Sequence, residues 1–247
     1  MNQDHLSRIS TIWTMVFTAH GQDPEAVKVA QSALMERYSG VVYRYLLRAL
    51  GNVDAADEVF QQFALSFVRG GFRHANPERG RFRDYLKASL VRLIASYRKN
   101  HARAFSRLPV TDACDVGGAL ATDEELDREF VESCRDELLS RAWQALEQFE
   151  RRTGRPLFSV LDYRARNPDA SSTDMARALT ERRPNSEPFT AAGIRKLLQR
   201  ARETFADLLL AEVARTLDRT DRHAMEQEVI DLGLHPYCRS AIERRYR

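Results

Sequence analysis

Arg195, Gln199 and Arg202 recur at i, i+4 and i+7, with Lys196 and Arg200 beside them. On a helix this spacing sets guanidinium and amide groups along one face, the chemistry that reads base edges: Arg pairs with guanine and Gln with adenine. The remaining cations suit phosphates. A second constellation is acidic and amidic, Asp57, Glu58, Gln61 and Gln62, again on one face of a helical repeat. A third mixes cations with rings: Phe72, Arg79, Arg81, Tyr85, Lys87, Arg92 and Lys99. Cations that track phosphates beside a ring that stacks a base are how single strands are held.

Charge is segregated along the chain. Residues 69–107 carry eleven Lys or Arg against Glu78 and Asp84, or +9, while residues 108–137 carry ten acids against Arg128 and Arg135, or −8. The net charge of +3 hides this reversal, which points to a polyanion-binding surface followed by an acidic spacer.

Signatures of catalysis do not occur. No Gly-rich phosphate loop, His-Glu-x-x-His or Gly-x-Ser-x-Gly is present, and the six histidines are scattered, so no enzyme and no cofactor are expected. His235 and Cys238 fall short of the ligand set a zinc site needs, and no metal is expected. Cys114, Cys134 and Cys238 form neither a disulfide framework nor a Cys-x-x-Cys pair. Residues 1–10 lack the apolar core of a secretory signal and no stretch is apolar enough to cross a bilayer, so a cytoplasmic protein without membrane contact is expected.

The elements that must carry these residues are helices. Apolar residues recur at three and four positions over long stretches, and the reading is an all-α fold of two helical domains on an acidic flexible linker, the C-terminal domain a helix-turn-helix. Leu34, Tyr38, Val41, Val42, Tyr45, Leu46 and Ala49 make one stripe that stops at Gly51-Asn52. A helix capped by Asp54 follows, with Ala56, Val59, Phe60, Phe63, Ala64, Phe67 and Val68 inward. After a Gly-rich loop at 70–80, a third helix runs from about Arg81 to His101. Residues 104–128, with Pro109 and Gly117-Gly118, read as the linker, and helical periodicity resumes at about Glu129. Ser171 and Asp174 open a short helix to Leu179, and Thr190 caps the last long one, the base-reading candidate. The expected divisions are a lead-in at 1–23, a first domain at 24–103, the linker at 104–128, a second domain at 129–215 and a tail at 216–247.

In this order the motifs resemble a known family, the extracytoplasmic-function sigma factors of bacterial RNA polymerase, in the subgroup with an extended C-terminal tail. Glu58-Val59-Phe60-Gln61-Gln62-Phe63 is similar to the family's acidic-x-x-Gln-x-Phe helix. The run Asn76-Pro77-Glu78-Arg79-Gly80-Arg81-Phe82-Arg83-Asp84-Tyr85-Leu86 resembles its loop and following helix start. Leu157-Phe158, Met175 to Leu179, and Ile194-Arg195 through Gln199-Arg200-Ala201-Arg202 to Phe205 resemble its C-terminal domain. The likeness covers about residues 11–215. It implies that Asp57, Glu58, Gln61 and Gln62 dock on the clamp helices of core RNA polymerase, and that the cation and ring set holds the melted strand of a proximal promoter element. It also implies that Thr190, Arg195, Lys196, Gln199, Arg200 and Arg202 read a distal element of promoter DNA as duplex. An anti-sigma factor is a further partner the resemblance admits. The residues themselves leave an alternative open, a helix-turn-helix transcriptional regulator that does not engage core polymerase. One departure is structural: Thr180 to Phe189 makes a ten-residue connection where the family's turn has about three or four.

Overall fold

The computed structural model describes residues 11–73, 75–76, 78, 80–105, 122–182, 187–217 and 220–247. Every element among them is a helix. In chain order these are α1 (Thr11–Thr18), α2 (Pro24–Leu50), α3 (Val53–Val68), α4 (Phe82–Phe105), α5 (Asp123–Thr153), α6 (Leu157–Arg166), α7 (Ser172–Glu181), α8 (Ala191–Thr216), α9 (Arg222–Asp231) and α10 (His235–Arg245). No helix among the described residues is long and apolar enough to cross a membrane. Two compact units result, Met1–Glu137 with Thr216–Arg219, and Leu138–Arg215 with Thr220–Arg247.

In the first unit, Asp23 caps α2 by accepting from the Glu25 and Ala26 amides, and Pro24 occupies the first turn, where a missing N–H costs nothing. Gly51 ends the helix at φ 63, a left-handed conformation that glycine adopts without penalty. Arg98 donates to the Ala49 carbonyl at 2.7 Å, so one cation of the basic block serves the end of α2. The cap of α3 differs from expectation: Asn52, not Asp54, accepts the Ala55 amide at 2.9 Å. Asn52 lies two residues earlier in extended conformation and claims the first free N–H groups, leaving Asp54 inside the first turn. Ala56, Val59, Phe63 and Phe67 turn inward as the periodicity requires, but Val68, expected inside, is 58% exposed. Trp13, Leu34, Tyr45, Leu46, Leu86, Leu90 and Ile94 complete this core.

The long helix α5 begins inside the expected linker, at Asp123. Its start is a reciprocal cap. The Thr122 amide donates to the Glu125 carboxylate at 2.7 Å, and Thr122 Oγ1 accepts the Glu125 amide at 3.2 Å. Hydrogen bonding from Thr122 to the Glu125 carboxylate, its backbone amide first and its side chain second, holds that carboxyl below its ordinary range. Leu126 and Phe130 then bury one turn apart, the Phe130 ring edge-on to Tyr45 at 5.3 Å. The half of α5 up to Glu137 therefore belongs to the first unit, and the half from Leu138 to the second.

In the second unit, Trp143 of α5 packs its ring on Phe158 of α6 and Phe205 of α8 at 6.0 and 5.1 Å. Ser171 and Asp174 form the capping box that the sequence announces at the start of α7. The tail folds into α9 and α10, joined by a turn at Gly233 with φ 67 and burying Met225, Val229, Leu234, Cys238 and Ile242. Arg244 of α10 reaches the Asp207 carboxylate of α8 at 2.7 Å.

Candidate nucleic-acid interface

Three surfaces carry the residues singled out by sequence. On α3, Asp57, Glu58, Gln61 and Gln62 are all exposed. Asp57 accepts the Tyr43 hydroxyl at 2.7 Å, a bond that raises the tyrosine pKa above its ordinary value, and Gln62 donates to Glu58 at 3.2 Å. Leu65 and Val68, 54% and 58% exposed, prolong the face beyond the amides. Val68 reads as core by periodicity, and Leu65 carries no signal of its own, so this apolar end is not legible in the sequence.

On the loop and α4, the ring assignment needs correction. Phe72 was expected to stand out and stack a base, yet it is 4% exposed. Its ring meets Phe67 at 5.2 Å, Tyr85 at 5.5 Å, Phe63 at 5.7 Å and Phe82 at 6.2 Å. The cause lies in Gly70 and Gly71. Gly70 takes φ 90 and the Gly71 amide donates to the Ser66 carbonyl at 2.8 Å, which folds the loop back over the end of α3. Phe72 is therefore core, and Tyr85, half-buried and packed T-shaped with Phe72, is the ring left near the surface.

The cations of this region fall into two sets. At about 3.6 residues per turn, Arg81, Tyr85, Arg92 and Lys99 lie on one line facing away from Leu86 and Leu90. Arg92 and Lys99 are exposed, and Arg81 pairs with Asp84 at 3.5 Å. Lys87 lies on another flank of α4 and pairs with Asp127 of α5 at 2.9 Å. Arg79 lies outside the described residues.

In the second unit, Val160, Met175, Ala176, Leu179, Ile194 and Leu198 form one buried cluster, with Phe189 packed against it. This cluster joins α6, α7 and the first turns of α8. It leaves Arg195, Lys196, Gln199, Arg200 and Arg202 exposed, with Arg195, Gln199 and Arg202 on a common line. Thr190 is engaged as the cap of α8, its Oγ1 accepting the Gly193 amide at 3.0 Å. A Cβ at Gly193 would stand 3.1 Å from that oxygen, so glycine leaves the cap its room. Gln199 donates to Glu203 at 3.1 Å, which engages one of its two amide N–H groups. The ten-residue connection is closed at its base: Thr180 Oγ1 donates to the Ala176 carbonyl at 2.7 Å and accepts the Phe189 amide at 2.9 Å. Arg182 beside it lies over the Tyr163 ring, 5.4 Å from its centroid.

Among the described residues no group of three or more His, Cys, Asp or Glu could hold a metal. Cys238 is buried, and burial pushes its thiol up to about 12, the opposite of a metal-ligating thiolate. Comparison with known proteins gives no match to any protein-family model, curated protein or solved structure.

Proposed function

We propose that the chain is a sigma-type specificity subunit of bacterial RNA polymerase, whose first unit engages core polymerase and a melted promoter strand and whose second reads a promoter element as duplex. The observation that carries this reading is the α7–α8 pair. In a helix-turn-helix, the helix that enters the major groove has its back held by the preceding helix and its front left polar. Ile194 and Leu198 bury against Met175, Ala176 and Leu179, while Arg195, Gln199 and Arg202 stand clear of them.

Two further surfaces support the same function. The exposed carboxylate and amide face of α3 ends in Leu65 and Val68, which gives a docking helix polar specificity and a dry contact together. The line Arg81, Tyr85, Arg92 and Lys99 offers cations at phosphate contacts and one half-buried ring beside them to a displaced strand.

The test is co-purification of the full-length chain with core RNA polymerase, followed by transcription of genomic fragments with the purified pair. Specific transcripts that require this chain are the expected result. Duplex binding without any association with core polymerase would overturn the proposal in favour of a regulator that acts on DNA alone.

A further inference from the structure

The acidic half of α5 lies on a row of cations outside the line of Arg81, Tyr85, Arg92 and Lys99. Lys87 of α4 meets Asp127 at 2.9 Å, Arg48 of α2 meets Asp136 at 2.7 Å and the Ser133 hydroxyl at 2.8 Å, and Arg44 meets Glu137 at 3.1 Å. Backbone makes room for the approach at Gly40 of α2, where a Cβ would come within 2.5 Å of the Glu137 carboxyl carbon. A mid-helix glycine costs about 1 kcal/mol relative to alanine, so the close approach of this carboxylate is a reason for its presence.

From these contacts we infer that Lys87, Arg48 and Arg44 form a second anion-binding strip, for the phosphodiester backbone of a nucleic-acid strand, which the acidic half of α5 fills in the free chain. This rests on the reading of the first unit as a strand binder. Asp127 and Asp136 are nine residues apart, about 14 Å along a helix, so the strip is long enough for more than one phosphate. Its ion pairs are partly solvated, the side chains of Arg48 and Asp136 being 34% and 37% exposed and those of Lys87 and Asp127 29% and 57%. Pairs of that kind contribute about 0 to 1 kcal/mol each, so they are not what fixes the helix. Leu126 and Phe130 do that, at 5% and 1% exposure. Asp127 and Asp136 are therefore exchangeable for phosphates at little cost, whereas the Glu137 side chain, 14% exposed, and the apolar anchors are held more firmly. Lys87 also sits on the same helix as the line of Arg92 and Lys99, so a strand following that line and crossing α4 arrives at the strip.

Binding of a mixed-sequence 20-nucleotide single-stranded DNA to the full-length chain tests the inference. The variant D127N/D136N/E137Q keeps Leu126, Phe130 and the side-chain sizes, and its helix content is checked by circular dichroism. It is expected to bind about three- to tenfold more tightly than wild type near 0.1 M salt, with a salt slope steeper by up to about 2, three cations at about 0.7 each. Adding R44Q/R48Q to that variant should abolish most of the gain. An unchanged affinity and slope would overturn the strip, as would a gain that survives R44Q/R48Q or that is matched by neutralising Glu212, Glu226 and Glu243 in the second unit. No polymerase and no promoter sequence enter these measurements, so their failure is distinguishable from failure of the transcription assay.

Discussion

Thr180 Oγ1 accepts the amide N–H of Phe189 at 2.9 Å and donates to the Ala176 carbonyl at 2.7 Å, so one hydroxyl ties the last turn of α7 to the entry of α8. The last turn of α7 and the residue before the α8 cap are thereby held together. Phe189, packed on the cluster of Met175, Leu179, Ile194 and Leu198, holds the same junction by apolar contact. Thr180→Val keeps the volume and removes both bonds. It should lower stability by about 1 to 3 kcal/mol, because the half-buried Phe189 amide loses its acceptor, and thermal unfolding reads the loss. Duplex affinity should fall for all sequences alike, since the helix loses its seat rather than a base contact.

The outward face of α8 makes a separable prediction. Arg195→Ala is expected to relax preference at one base pair of the distal element by about 1 to 3 kcal/mol, whereas Lys196→Ala, on the neighbouring side, should weaken binding uniformly and flatten the salt slope by about one charge. Glu203→Ala releases the Gln199 amide from its 3.1 Å bond and should sharpen, not weaken, the preference at the adenine position. A systematic promoter-mutation scan with each variant decides. A distal profile unchanged by Arg195→Ala would mean that bases are not read through this helix.

On α3, Glu58 and Gln61 are exposed and serve no core contact, so E58A/Q61A should leave the melting temperature within about 1 °C to 2 °C, a change well under 1 kcal/mol, while reducing affinity for core polymerase. Leu65→Ala should add to that loss by removing the apolar end of the same face. Competition against a labelled wild-type chain measures both, and undiminished affinity in E58A/Q61A removes this face from the docking surface.

Much of this architecture is readable from residue order. Helical periodicity, the Gly51 stop, the Ser171–Asp174 capping box and the Thr190 cap all act through contacts a few residues long, and local contacts are what a sequence displays. Thr122-x-x-Glu125 was equally readable, but the acids around it suggested a spacer and obscured a helix start. Phe72 and Val68 went astray for a different reason. Whether a ring beside two glycines faces water depends on how Gly70 and Gly71 turn the loop back on Phe67, a tertiary event with no local signature. The docking of Asp127 and Asp136 on Lys87 and Arg48 is of the same non-local kind: charge reversal along the chain announced two opposite surfaces and not that they would meet.

Tyr45 gives a prediction that involves no partner. Its side chain is fully buried, its ring is packed T-shaped with Phe130, and its hydroxyl has no hydrogen-bond partner among the described residues. Burial first, then the Glu129 and Asp127 carboxylates, pushes its pKa up to about 12 from an ordinary 10.0. The phenolate is thus disfavoured in the folded chain. With the folded value above the unfolded one, the stability contribution is intact below about pH 10 and is lost as pH rises toward about 12, because only the unfolded chain can ionise there. Tyr45→Phe removes both the unpaired hydroxyl and the ionisation. At neutral pH it should be neutral or stabilising by about 1 kcal/mol, since a buried polar atom without a partner is relieved. Between about pH 10 and 12 its advantage over wild type should widen. Urea unfolding at pH 7 and pH 10.5 measures both differences. A Tyr45→Phe chain less stable than wild type at pH 7 would mean that the hydroxyl is bonded in solution, and a constant gap between the two pH values would mean that the phenol ionises as readily inside the fold as out of it.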